Sequence, residues 1–148
     1  MILCDVNVFL FGYFAHTEHH APCHGLLTTL LAADDRFAVS ELILAAVVRI
    51  GSNPKLFAPT PSAEELFVFC QTWLDDERAV VVQPAARHWS LFRDLVAQTG
   101  IRGPDTTDAY LAALAMEHNC DWWSADEGFA RFPGLRFHNV LAAELPST

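Results

Sequence analysis

The chain has 148 residues, 52% of them hydrophobic and 18% charged, enough for one domain with a real core and too few for two comfortable ones. Its formal net charge of −9 excludes a protein that grips nucleic acid by basic side chains alone. The apolar runs fall well short of the ~20 residues of a membrane-spanning helix, and the cysteines, with no Cys-x-x-Cys pair, supply neither a zinc knot nor a disulfide framework. Residues 1–148 therefore read as a single domain, with no membrane attachment. No charged leader precedes an apolar core, so a cytoplasmic protein with reduced, buried thiols is expected.

In chain order, Ile2 to Cys4 reads as a short buried strand, and Val6 to Phe14 as a helix after Asp5. Thr17 to Ala33 places Leu26, Leu27, Leu30 and Leu31 at helical spacing and stops at Asp34-Asp35. Phe37-Ala38-Val39 is strand-like. Ser40 is suited to cap a helix that runs to Gly51. Ser62 and Glu65 have capping-box spacing, and the helix they open carries Leu66, Phe69, Cys70, Trp73 and Leu74. Ala79 to Val82 is a continuous apolar run, which predicts a strand buried on both faces. Ala85 to Thr99 predicts a helix with Trp89, Phe92 and Val96 on one stripe, closed by Gly100. A loop around Gly103-Pro104 leads to a helix beginning near Asp108. Cys120 to Trp123 and Leu135 to Phe137 complete the strands, separated by a turn or helix from Asp126 to Phe132. Strands alternating with helices imply crossover connections, hence an α/β fold with a largely parallel sheet whose functional crevice lies at the carboxyl ends of the strands.

Three acids stand at that edge. Asp5 follows the first strand, Asp126 follows the fourth, and Asp108 reaches the edge from a helix N-terminus. Taken singly, each is explained as a helix cap or a first-turn acid. Taken together, carboxylates delivered by three remote segments repel one another unless a cation neutralises them. Hard oxygen donors without a histidine set suit Mg²⁺ or Mn²⁺, ions that serve phosphoryl chemistry.

His16, His19, His20 and His24, with Cys23 among them, form a second cluster. His20 and His24 are one helical turn apart, but no later Cys or His group completes a tetrahedral set, which favours a solvated helix start over a metal site. Contact with RNA near the first acid is the other use open to these imidazoles. Arg49 and Arg102 suit either a phosphate clamp or a surface ion pair. Trp122-Trp123 could stack bases, although a strand position favours the core.

Asp5-Val6-Asn7, the run Arg49-Ile50-Gly51-Ser52-Asn53-Pro54, Asp108 to Ala115, Ser124-Ala125-Asp126 and Phe129 to Leu135 together resemble the PIN-domain ribonucleases, and within them the VapC-type toxins of type II toxin–antitoxin pairs. The resemblance spans nearly the whole chain and rests on the order and spacing of these pieces. It implies a three-layer α/β/α sandwich with a mostly parallel central sheet and a Mg²⁺- or Mn²⁺-dependent endoribonuclease that cleaves RNA. It also implies a homodimer and neutralisation by a cognate VapB-type antitoxin. Asp5, Asp108 and Asp126 match three of the family's acidic positions: Asp5 and Asp108 as direct metal ligands, Asp126 acting through water or by its charge. Two positions depart from the pattern. Ala46 stands near where the family has an acid in the helix after the second strand, with Glu41 the only acid in the neighbourhood and better explained by the helix dipole. Gly128 replaces an acid often found two residues beyond Asp126. These losses keep open an alternative, a catalytically weak PIN-like protein that binds RNA or its antitoxin. Leu66, Phe69 and Trp73 are candidate dimer-surface residues or core.

Overall fold

The computed structural model describes residues 1–142. Strand β1 is Ile2–Cys4, and α1 (Val6–Tyr13) follows at once. The abrupt change is made by Asp5, whose backbone is extended and whose carboxylate accepts from Val6 N at 2.7 Å, the geometry of a helix N-cap. The chain continues through α2 (His20–Ala32), β2 (Phe37–Val39), α3 (Glu41–Gly51), α4 (Ala63–Leu74), β3 (Ala79–Val81) and α5 (His88–Thr99). It ends with α6 (Thr106–Glu117), β4 (Asp121–Ser124) and β5 (Phe137–Asn139). Short 3-10 turns, Gly103–Asp105 and Glu127–Arg131, precede α6 and follow β4.

All strand pairs are parallel, in the order β3-β2-β1-β4-β5. The chain steps outward from β1 to β2 to β3, then returns past both to β4. Parallel crossovers are right-handed, so the outward steps place α1 to α4 on one face and the return places α5 and α6 on the other. The packing agrees: α1 lies on α2 and α3, α3 on α4, and α5 on α6. The result is the α/β/α sandwich expected from the sequence.

The core fills both gaps between sheet and helices. Leu3, Phe37, Val39 and Trp122 are the sheet's largest fully buried side chains, with Ile43, Val47, Leu66 and Trp73 from α3 and α4 and Leu114 from α6 equally buried. Phe9 and Phe37 contact Trp73 edge to face, with centroids 5.4 and 5.6 Å away. In α6, Ala109 and Leu111 to Ala115 are all buried because the helix is sandwiched between β4 and α5, which is why it carries no polar stripe. The capping box that opens α4 is complete: Glu65 N donates to Ser62 Oγ at 3.1 Å and Ser62 N to Glu65 Oε2 at 3.0 Å. Arg78 ties the end of α2 to the start of β3, donating to the carbonyls of Leu30, Leu31 and Ala33 and to Asp76.

Several sequence expectations are corrected. β3 is not buried on both faces; it is an edge strand, and Val81 is 51% exposed. β5 lies two residues later than Leu135 to Phe137, because Gly134 (φ 83°) holds a turn before it and pairing with β4 begins at Trp122↔Phe137. The polar His138 and Asn139 hid the strand from an apolar count. Ser40 occupies the N-cap of α3, yet its side chain makes no capping bond. On α5 the buried residues are His88 and Leu95, while Trp89 points outward at 67% exposure. Leu66 and Trp73 belong to the core, and the exposed apolar pair on α4 is Phe67 and Val68. No helix among the described residues is long and apolar enough to cross a membrane.

The burial on α4 gives a direct contrast. Trp73→Ala is expected to cost about 3–5 kcal/mol by transfer and cavity formation, whereas Phe67→Ser should stay within about 0.5 kcal/mol. Denaturant midpoints of the two variants check this.

Candidate metal centre

β1 and β4 are neighbours that continue in opposite directions across the sheet, so the point where they part is the switch point of the fold, where α/β proteins place their sites. Their register pairs Cys4 with Trp123, and Asp5 N donates to Trp123 O at 2.9 Å. The first residue past β1 is thereby held beside Ser124, the last residue of β4.

Ser124 is fully buried and uses all its hydrogen-bonding capacity. Its hydroxyl donates to Asp5 Oδ2 at 2.7 Å and accepts from Asn7 Nδ2 at 3.1 Å and from Asp126 N at 3.0 Å. Asn7 Oδ1 accepts from Ala125 N at 3.1 Å, closing the turn after β4 onto the first turn of α1. Asp5 and Asp126 are thus positioned by one buried hydroxyl. Asp126 in turn caps the 3-10 turn, accepting from Gly128 N at 2.8 Å. Asp108 projects from the first turn of α6, and its Oδ2 accepts from Arg131 Nη2 at 2.9 Å.

The capping reading is realised, and the charges of Asp108 and Asp126 are felt at Asp5. Asp5 and Asp126 do cap their elements, and the three acids still share one region. Asp5 is buried, which pushes its carboxyl up to about 6. The hydrogen bonds from Ser124 and Val6 N oppose that rise, and the negative charges of Asp108 and Asp126 add to it. Asp108 is raised by burial and by Asp126, with Arg131 pulling the other way. Hard oxygen donors whose negative charge Arg131 compensates only in part fit a hard divalent cation. Among the described residues, however, no three His, Cys, Asp or Glu side chains stand close enough together to hold an ion as they are oriented.

The remaining candidates fall elsewhere. Glu41 is exposed in the first turn of α3 and lines an apolar groove with Leu44, Ala45, Val48, Phe67, Cys70 and Leu74. Ala46 is half-buried on the same helix. The histidines pack as aromatics: His20 Nδ1 lies 2.8 Å from Phe11 O, His19 and His16 meet Phe11 and Phe14 edge to face, and His20 stacks on His24. Arg49 and Arg102 are exposed without ion pairs among the described residues. Trp122 and Trp123 are buried, Trp123 stacked on His138. All four cysteines are free and buried. Sequence reasoning missed Ser124, Asn7 and Arg131 as parts of the site. A serine ending a buried strand beside an acid was the one signal available.

With this geometry in place, comparison with known proteins is decisive. The sequence matches the PIN domain family over residues 2–135. It is 36% identical over 141 residues to Ribonuclease VapC43 of Mycobacterium tuberculosis, covering 95% of this chain and 96% of that one. The chain belongs to the VapC-type PIN-domain ribonucleases. Ribonuclease VapC25 of the same organism is 35% identical, over 92% of this chain and 96% of the relative. The fold also matches the crystal structure of VapBC2 from Rickettsia felis bound to a promoter DNA fragment, with a TM-score of 0.66 at 20% identity over 93% of this chain and 98% of that one. VapBC-1 from nontypeable Haemophilus influenzae gives 0.64 at 15% identity over 95% and 99%. As a VapC-type chain, the protein is a nuclease of a toxin family.

The buried acid gives a pH signature. A folded-state pKa of about 6 for Asp5 against an ordinary value of 3.8 means that the native state holds the proton longer than the unfolded chain. Its contribution to stability is full below about pH 4 and is lost as pH rises through 6, by about 3 kcal/mol in the metal-free protein. Asp5→Asn should flatten this slope, and Ser124→Ala, which removes a donor to the ionised carboxylate, should steepen it. Urea unfolding between pH 4 and 8 reads both; equal slopes in wild type and Asp5→Asn would refute the assignment.

Proposed function

We propose that this single-domain chain is a Mg²⁺- or Mn²⁺-dependent endoribonuclease toxin of the cytoplasm, with Asp5, Asp108 and Asp126 as its metal-holding acids. The observation that carries the reading is the carboxylate of Asp5, fixed at the switch point and raised first by its burial and then by the charges of Asp108 and Asp126. A divalent ion held there supplies polarisation of a phosphodiester and activation of water for in-line attack. The protein's own part is positional. Ser124 and Val6 N hold both oxygens of Asp5, Asp126 is fixed by the Ser124 hydroxyl and its cap on Gly128 N, and the first turn of α6 presents Asp108. The substrate is RNA, in keeping with the ribonuclease relatives.

The partner is a cognate VapB-type antitoxin. The α3–α4 groove, apolar along Leu44, Val48, Phe67 and Leu74 with Glu41 among its lining residues, suits an amphipathic helix bearing a basic side chain. A homodimer is part of the same reading, through outward apolar residues such as Val68 and not through Leu66 or Trp73. A second reading, a weak nuclease that binds RNA or antitoxin without efficient cutting, is favoured by the absence of an assembled trio of donors among the described residues and by Ala46 in place of an acid.

One experiment separates the two. Purified protein is incubated with total RNA and Mg²⁺, with and without chelator. Chelator-sensitive cleavage, reduced about 10²-fold or more in Asp5→Asn, is expected. Chelator-insensitive binding without cleavage supports the second reading, and undiminished cleavage by Asp5→Asn removes the metal assignment.

A further inference from the structure

Arg131 makes the sole ion pair that any of the three acids forms among the described residues, Nη2 to Asp108 Oδ2 at 2.9 Å. Its perch is fixed from three sides. It closes the 3-10 turn that Asp126 caps, so the cation follows that acid by only five positions. Its guanidinium lies 5.0 Å from the ring centroid of Phe132, itself buried in the core. The third side is Gly128. A Cβ at this position would stand 3.1 Å from Arg131 Nη1 and 3.0 Å from Asp126 Oδ1, so the guanidinium runs through space that a side chain would contest. Gly128 is the position where the resemblance places an acid; here the acid is gone and a cation passes beside its place.

The pair also sits at a lip and not in the core. The side chains are 34% and 27% exposed, so Arg131 can leave Asp108 without crossing a packed interior. While the pair stands, Asp108 is turned to the guanidinium, and no trio of donors is assembled among the described residues.

We propose that Arg131 is the resident counter-cation of the acidic rim, a positioning residue that competes with the divalent ion for Asp108. Ion entry and release of the Arg131–Asp108 pair are then one exchange: the ion gains Asp108 as the guanidinium leaves it, with no change in protonation. Arg131 raises the concentration of divalent ion at which the rim fills, while holding Asp108 in place when no ion is present. The inference rests on Asp5, Asp108 and Asp126 being the metal-holding set, but not on the identity of the substrate.

The test is calorimetric titration of the metal-free full chain with Mn²⁺, comparing wild type with Arg131→Gln, Arg131→Lys and Asp108→Asn, each checked by thermal unfolding. Arg131→Gln is expected to bind Mn²⁺ about fivefold more tightly, the scale of a partly exposed ion pair. Arg131→Lys, which keeps the charge but loses the planar fork, should fall between it and wild type, and Asp108→Asn should bind weakly. A side chain with a merely structural role would leave affinity unchanged or lower it. Unchanged or weaker Mn²⁺ binding in a folded Arg131→Gln therefore overturns the inference, and Arg131→Lys decides in the same way if the glutamine variant does not fold. Failure of every protein, wild type included, to bind Mn²⁺ would overturn the metal reading as well, which keeps the two failures distinct.

Discussion

The pairing of β1 with β4 is the constraint on which the site depends. It joins the second residue of the chain to residue 121 and, by its register, sets Asp5 against Ser124. The site therefore depends on a pairing between segments more than a hundred residues apart and not on any local segment of the chain. The buried serine hydroxyl then converts strand register into side-chain position, because its three hydrogen bonds are filled by Asp5, Asn7 and the backbone of Asp126.

The electrostatics of the rim follow from that geometry. Burying Asp5 beside two further carboxylates raises the free energy of the ionised state, and two donors recover only part of it. Such a rim is preorganised for positive charge of any origin: a hard cation, the guanidinium already on Asp108, or a basic side chain offered by a partner. In this chain the internal cation passes close to position 128, where a Cβ would stand 3.1 Å from Arg131 Nη1.

Much of this was legible in the sequence because it depends on local signals. The Ser62/Glu65 capping box, the Asp5 break and the alternation of strand and helix are short-range features, and the structure realises each. The candidate acids Asp5, Asp108 and Asp126 were visible for the same reason, as each stands at the boundary of an element. What escaped depends on long-range pairing. β3 reads as a buried strand, since four apolar residues in a row look alike at the centre and the edge of a sheet; only strand order distinguishes them. β5 was displaced because His138 and Asn139 are paired with Trp123 and Ser124 despite their polarity. Arg131 and Ser124 escaped because their partners Asp108 and Asp5 lie 23 and 119 positions away, and the serine beside Asp126 at a strand end hints at a site without naming its partner.

The two outer strands, β3 and β5, are each only three residues long. Pro84 follows the first closely, and Asp76, Glu77 and Arg78 precede it. A short strand with charge on one side and proline on the other offers a poor template for another chain's backbone. Sheet-to-sheet growth between copies, the usual hazard of an open α/β edge, is therefore disfavoured at β3. The apolar side chains that face outward, Phe67, Val68 and Trp89, stand on helices instead, so any partner they meet is read by shape and surface chemistry and not by backbone pairing.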